Sequence, residues 1–191
     1  ADRVGMTFGV PEYDLYVVDS PDIEWACAYA GSQPALVVPK ALESARESVL
    51  AFHLARPLAL MSRLLHPVDR IDPMTLERIL VSAARQFEPD FTLRSADADL
   101  DFETKRVGKA IGFFSRGRIQ DAATTFAATP TQNVTQWVRD VRRMASRAAL
   151  LVCDDLLSAY AALGHAFGPD DLLADLARFW GSAPAMRFRR R

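Results

Sequence analysis

The chain has 191 residues, of which half are apolar and a quarter are charged, as in an ordinary globular protein, and this composition excludes intrinsic disorder. The 23 basic and 24 acidic residues leave a net charge of −1, so no overall field attracts nucleic acid or an anionic membrane. No run of about 18 apolar residues could span a bilayer, and no charged-then-apolar leader opens the chain. We therefore expect a cytoplasmic protein with one domain over residues 1–191. Because the chain begins with alanine, we expect it to be processed or excised from a longer protein.

The β-containing part of the chain is predicted at about residues 13–38. Asp14–Val18 is a short apolar and β-branched run bounded by prolines, which is typical of a strand. Trp25–Ala30 and Ala35–Val38 are two further candidate strands, separated by a Gly-Ser-Gln-Pro turn. The sequence therefore predicts a small N-terminal antiparallel ribbon or sheet.

The helical part is predicted at about residues 41–181, where the apolar period changes from two to about 3.6. The first helix, about Ala41–Leu65, has a middle that is apolar nearly all round and so is expected in the centre of the domain. Pro57 lacks a backbone donor and predicts a kink or break. Asp72 and the pair Asp154-Asp155 are predicted to cap the N-termini of later helices. The predicted fold class is α+β, mostly α, with the small sheet packed on about six to seven helices.

Three segments in succession carry a family resemblance: an apolar edge segment, an apolar strand and a buried helix containing His53. This order resembles the HtpX-like and CAAX-prenyl-protease-like zinc metallopeptidases, and the segment Arg142–Ala148 is similar to their second zinc helix. The resemblance covers roughly residues 13–65 and 134–163. It implies an edge strand that pairs with an extended peptide. In this chain the residues of that strand are Trp25, Ala26, Cys27, Ala28 and Tyr29.

The positions that would hold and use zinc carry other residues. Such a helix needs two histidines at i and i+4, a glutamate between them as general base, and a third ligand from elsewhere. His53 is the first ligand, but Leu54 stands at the base and Pro57 at the second ligand. Arg142 stands at the third ligand, and Ser146 replaces an aspartate. The resemblance therefore implies no catalytic residue, no metal and no cofactor. We expect Arg142 to substitute for the charge of the dication and to hold neighbouring carboxylates or carbonyls.

Other patterns that could bind metal or react give weaker signals. His53, His66 and His165 share no ligand spacing. A run of aspartates at 97, 99 and 101 lacks the glycine and glutamate of a calcium loop, so a solvated acidic loop is expected. Cys27 and Cys153 lie in apolar surroundings and are predicted to be buried thiols.

The sequence predicts a non-catalytic, metallopeptidase-like module that binds a protein or peptide or acts as a scaffold. Arg147–Leu163 and the ending from Asp171 are similar to C-terminal regions of bacterial tetratricopeptide-repeat proteins of unknown role. Two alternatives stay open. One is a hydrolase that combines His53 with distant carboxylates. The other is phosphate or nucleic-acid binding through a set of arginines, namely Arg142, Arg143, Arg187, Arg189, Arg190 and Arg191.

Overall fold

The computed structural model describes residues 2–19, 26–30, 33–93, 99–112, 115–129, 133–164 and 171–189. The described chain is mostly helical and has a small sheet near its N-terminus, which confirms the predicted fold class. It divides into two compact units, one made of Ala1–Asp69 with Asp140–Arg191 and the other of Arg70–Arg139. The single domain expected over 1–191 stays a prediction. None of the described helices is both long and apolar enough to cross a membrane.

The described helices are α1 (Asp2–Thr7), α2 (Glu47–Met61), α3 (His66–Arg70), α4 (Pro73–Ala84), α5 (Leu100–Ala110), α6 (Arg116–Ala128), α7 (Val134–Cys153), α8 (Leu156–Leu163), α9 (Asp171–Trp180) and α10 (Ala183–Arg189).

Two of the predicted N-caps are confirmed. The Asp72 side chain accepts a hydrogen bond from the backbone N–H of Thr75 at 2.9 Å. The Asp155 side chain accepts one from the backbone N–H of Leu157 at 3.0 Å. Each carboxylate satisfies a donor that the first helical turn leaves without a partner.

The sheet of the first unit has three strands, β1 (Asp14–Val18), β2 (Ala26–Ala30) and β3 (Gln33–Pro39). The strand β3 lies in the centre, with β1 parallel to it on one side and β2 antiparallel on the other. The predicted antiparallel sheet is therefore wrong for β1 and β3. Only two residues separate β2 from β3, which favours antiparallel pairing. No such short connection fixes the direction of β1 against β3.

The helix α2 differs from the predicted helix at both ends and in its middle. A 3-10 turn occupies Lys40–Ser44, so α2 begins later than expected and ends at Met61. Of the kink or break predicted at Pro57, the break does not occur, because the helix continues through this residue. Proline already has the φ of a helix, and its cost is one lost hydrogen bond and some crowding. Every residue from Leu54 to Met61 is buried, and this packing offsets that cost.

Two apolar clusters hold the first unit together, and both use α2. One packs the sheet against the second half of the helix, with Leu36 and Val38 of β3 touching the same cluster as Leu54, Leu58 and Met61. The other joins α2 to α7, α8 and α9. Its buried members are Phe52, Ala55, Ala149, Leu150, Cys153, Ala159, Ala162, Leu163 and Leu176. The central position predicted for this helix is therefore confirmed.

The second unit is built from α4, α5 and α6. The buried residues of α4 are Leu76, Val81, Ser82 and Ala84. The side-chain amide of Gln86 donates to the carbonyls of Ser82 at 3.1 Å and Thr104 at 2.8 Å, and so ties the end of α4 to α5. The helices α5 and α6 begin at Leu100 and Arg116, within the helical part predicted from the sequence.

Candidate functional site

A buried ion pair lies in the interior of the first unit. Arg56 of α2 donates from both terminal nitrogens to the two carboxylate oxygens of Asp69 in α3, at 2.6 Å each. Its Nε donates to the hydroxyl of Ser146 in α7 at 3.1 Å. The side chains of Arg56 and Asp69 are 2% and 0% exposed, so the pair is removed from water. The pair therefore connects α2, α3 and α7 through polar contacts inside an otherwise apolar region.

Arg142 binds the same aspartate from α7, one turn before Ser146. Its Nε lies 3.7 Å from Asp69 Oδ1. Its Nη2 donates to the main-chain carbonyls of Asp69 at 3.1 Å and Val68 at 3.4 Å. These are the kinds of partner, a carboxylate and carbonyls, that the sequence led us to expect for Arg142. We call Arg56, Asp69, Arg142 and Ser146 the arginine cluster; it contains two fixed cations and one carboxylate.

His53 lies on α2 one turn before Arg56 and is partly buried. Burial, and then the positive charge of Arg56, lower the pKa of His53, so the imidazole is neutral near pH 7. A neutral imidazole can bind a metal, but the adjacent guanidinium cannot give up its charge and repels a cation. Within the described ranges, no three side chains of His, Cys, Asp or Glu are placed to hold a metal ion.

The remaining positions at which the resembling family carries its zinc site belong to the core in this chain. Leu54, at the position of the general base, is 3% exposed and packs in the cluster beneath the sheet. Pro57, at the position of the second ligand, is among the most deeply buried residues. Ser146 is fully buried and accepts from Arg56. The structure thus brings Arg142 and Ser146 together at the arginine cluster, while Leu54 and Pro57 serve in packing.

Sequence reasoning missed Arg56 and Asp69. A signal for Arg56 was present, because an arginine in a helix that is otherwise apolar all round must be buried and needs a buried counter-charge. Asp69 had no comparable signal. It lies 13 residues away in the five-residue α3, and nothing in the local sequence separates it from an exposed aspartate.

The predicted peptide-binding segment corresponds to the strand β2. Ala26, Cys27, Ala28 and Tyr29 lie within it, whereas Trp25 falls outside the described residues. Among the described strands β2 pairs only with β3, and so it forms one edge of the sheet. An edge strand was expected at this place from the resemblance, and the backbone groups on its other side are directed away from β3.

Arg143, one of the arginines proposed for phosphate or nucleic-acid binding, has partners within the protein. Arg143 donates to Asp171 at 2.5 Å and to Asp140 at 3.3 Å. One helical turn later, Arg147 binds both carboxylate oxygens of the buried Asp175 at 2.9 and 2.5 Å. These contacts pair α7 with α9, because the two arginines and the two aspartates of α9 share a spacing of four residues.

At the C-terminus, Arg189 donates to Asp154 at 2.9 Å and lies 3.7 Å above the ring of Trp180. Arg187 is exposed on α10, and positions 190 and 191 fall outside the described residues. Arg143 and Arg189 are therefore both paired with aspartates, so less positive charge is free to bind a phosphate than the sequence implied. No observation favours it.

The other candidate residues do not form a reactive group in the described chain. The Asp99 and Asp101 carboxylates lie 3.6 Å from Arg78 and 3.0 Å from Arg85, while position 97 and His165 fall outside the described residues. Cys153 is buried and free, and burial raises the pKa of its thiol, so it is a poor nucleophile. The side chain of the other cysteine is not among those described.

No family model matches the chain, and comparison with curated proteins and with solved structures finds no significant relative. The resemblance to zinc metallopeptidases therefore rests on the sequence pattern alone, and function has to be argued from the geometry of the sheet edge and the arginine cluster.

Proposed function

We propose that the chain is a non-catalytic protein-binding module, which captures an extended peptide along the strand β2. The observation that carries the proposal is the position of β2, which pairs antiparallel with β3 and with no other described strand. The outer edge of such a strand presents backbone N–H and C=O groups in a row. An extended peptide that adds to this edge gains affinity from main-chain hydrogen bonds and needs no metal.

The arginine cluster supports the non-catalytic part of the proposal. Arg56 of α2 and Ser146 of α7 meet at 3.1 Å, and these are the two helices that would carry the zinc ligands in a metallopeptidase of the resembling family. A guanidinium is a fixed cation, so Arg56 and Arg142 would repel a dication at this crossing. Leu54 and Pro57 are packed in the core, so these two positions supply neither a general base nor a second ligand to His53.

The test begins with selection of binders from a random extended-peptide library displayed on phage, using the full chain as bait. Amide hydrogen exchange of the protein with and without a selected peptide then locates the binding site. We expect slower exchange within Ala26–Ala30, because the outward N–H groups of β2 become hydrogen-bonded. A matched pair of variants, Cys27→Pro and Ala28→Pro, separates binding from folding.

In an antiparallel strand, successive N–H groups alternate between the paired neighbour and the open side. One proline of the pair therefore removes a donor to β3 and weakens the sheet, whereas the other removes only an outward donor. The variant that keeps the melting temperature of the parent protein should lose peptide binding. Protection of a different segment, or full binding by both variants, would reject β2 as the binding edge.

A further inference from the structure

The strand β1, at the opposite edge of the sheet, exposes apolar side chains on both faces. Leu15, Tyr16 and Val17 are 41%, 52% and 46% exposed. Successive side chains of a strand point to opposite faces, so three consecutive exposed residues mean that neither face of β1 is covered by the described chain. Large apolar side chains beside an open backbone edge are a place where another chain can add.

Two of these side chains continue a row that begins in the core. Leu15 pairs with Leu36, and Val17 pairs with Val38. Residues paired across neighbouring strands point to the same face of the sheet. Leu36 and Val38 are 1% and 5% exposed, because they pack against α2. Leu15 and Val17 extend this apolar face beyond the helix, and a strand added beside β1 would set alternate side chains against them.

The ends of β1 are acidic. Glu12 and Asp14 lie at its start, and Asp14 has the hydroxyl of Tyr16 at 3.5 Å. Asp19 follows its last residue and pairs with Lys40 at 3.2 Å across exposed side chains. The three carboxylates and one ammonium leave a negative balance around an apolar centre, and a complementary partner has basic residues at its ends.

The same charges disfavour a second copy of this chain as the partner. If two β1 strands paired antiparallel about Tyr16, Asp14 of one copy would lie beside the end that carries Asp19 in the other. Parallel pairing in the same alignment would place each carboxylate next to its own counterpart. Like charges beside each other across strands are destabilising. Acidic residues at an edge are also a known protection against self-association.

We propose that β1 is a second docking edge, which receives an extended segment of another protein with alternating apolar residues between lysine or arginine flanks. The alternating apolar side chains would cover Leu15 and Val17, and the flanking cations would pair with the carboxylates at the two ends of the strand. This edge is separate from β2, so the inference stands or falls independently of the function proposed above.

The probe is a fluorescein-labelled peptide with the sequence Lys-Val-Thr-Val-Thr-Val-Lys, and its binding is followed by fluorescence anisotropy. The control peptide carries glutamate in place of both lysines. We expect the basic probe to bind at least about tenfold more tightly at low salt, and the difference to shrink as salt is added. A third peptide, N-methylated on alternate residues, cannot donate along one edge and should bind poorly if a strand is added.

Three variants of the full chain locate the site. Val17→Ser should weaken binding by about tenfold, because a valine loses its burial against the probe. Leu157→Ser removes an even more exposed apolar side chain, on α8, and should leave binding unchanged. Asp14→Asn should weaken the basic probe by about two- to fivefold and leave the acidic probe unaffected or improved. All three positions are at least partly exposed, so each variant is expected to fold, which a thermal melt checks.

Equal affinity for the basic and acidic probes would overturn the charge argument and with it the proposal. Absence of binding by the basic probe at millimolar concentration would do the same. Sedimentation velocity measures whether the parent protein forms a dimer. A dimer of the parent protein that Val17→Ser converts to a monomer would assign the edge to a second copy of the chain and overturn the proposed partner.

Discussion

The substitution Asp69→Asn should be among the most destabilising single changes in this protein. Asp69 is the carboxylate that pairs with both Arg56 and Arg142, and its side chain is 0% exposed. An asparagine has nearly the same volume, so the change creates no cavity. It removes the negative charge and turns one acceptor oxygen into an amide donor that faces a guanidinium group.

The loss of unfolding free energy in Asp69→Asn is set by the buried arginine that remains. Arg56 is 2% exposed, and a guanidinium is a fixed cation, so the change leaves a buried cation that has lost the counter-charge of Asp69. Breaking a buried ion pair from one side costs about 3–5 kcal/mol. Arg56→Met should cost less, because Asp69 then keeps Arg142 at 3.7 Å. The double variant Arg56→Met/Asp69→Leu removes both buried charges, and it should be more stable than Asp69→Asn alone.

The measurement is urea denaturation near neutral pH, followed by tryptophan fluorescence and by far-ultraviolet circular dichroism. Agreement between the two probes tests whether the two compact units unfold together. Asp19→Asn provides the control, because it breaks the ion pair with Lys40. The side chain of Asp19 is 82% exposed and that of Lys40 is 58% exposed. An exposed pair of this kind is worth less than about 1 kcal/mol.

Comparable losses in the two aspartate variants would refute the reasoning. A loss below about 1 kcal/mol for Asp69→Asn would mean that water or a rearranged side chain satisfies Arg56, and that the arginine cluster is not a buried site. A double variant less stable than Asp69→Asn would show that the charges stabilise the fold beyond what apolar packing supplies.

Three further results are expected. Leu58→Ala should cost about 2–5 kcal/mol in the same titration because the residue is 0% exposed, and Leu50→Ala should cost less because that side chain is only partly buried; equal losses would contradict the placement of α2. Elemental analysis of dialysed protein should find no stoichiometric zinc, and about one zinc per chain would contradict the proposal that the chain is non-catalytic. The pKa of His53 is lowered from its ordinary 6.5, so as the pH drops through 6.5 the unfolded chain binds a proton at this residue before the folded protein does. The free energy of unfolding therefore falls over this pH range. His53→Gln should show a smaller loss between about pH 7.5 and pH 5, and an unchanged loss would mean that this histidine does not contribute.

Those features of the fold that depend on a few neighbouring residues could be predicted from the sequence. The strand at Asp14–Val18 is observed with the predicted bounds, and so are the N-caps at Asp72 and Asp155. The direction of β1 could not be predicted, because it depends on which strand lies beside it and no short turn specifies that. Pro57 shows the opposite case. The local rule that proline interrupts a helix predicted a kink or break there, but the helix continues through a segment in which every residue from Leu54 to Met61 is buried.

The candidate site could be predicted only in part, for a related reason. Arg142 was expected to hold carboxylates or carbonyls in place of a dication, and it contacts the Asp69 carboxylate and a main-chain carbonyl. The identity of the carboxylate could not be predicted, because Asp69 lies 73 residues away in sequence. Ser146 and Arg56 are 90 residues apart, and only the packing of α2 on α7 brings them within hydrogen-bond distance.

The pairing of α7 with α9 also restricts how these helices can move. Arg143 and Arg147 face Asp171 and Asp175, each pair separated by one helical turn. Arg143 also lies 4.0 Å from Asp175, so it stands between the two aspartates of α9. Asp175 is only 4% exposed, and a shift that took it away from both arginines would leave a buried carboxylate without a counter-charge, which is costly. The register of α9 against α7 is therefore held by charge pairs as well as by apolar packing.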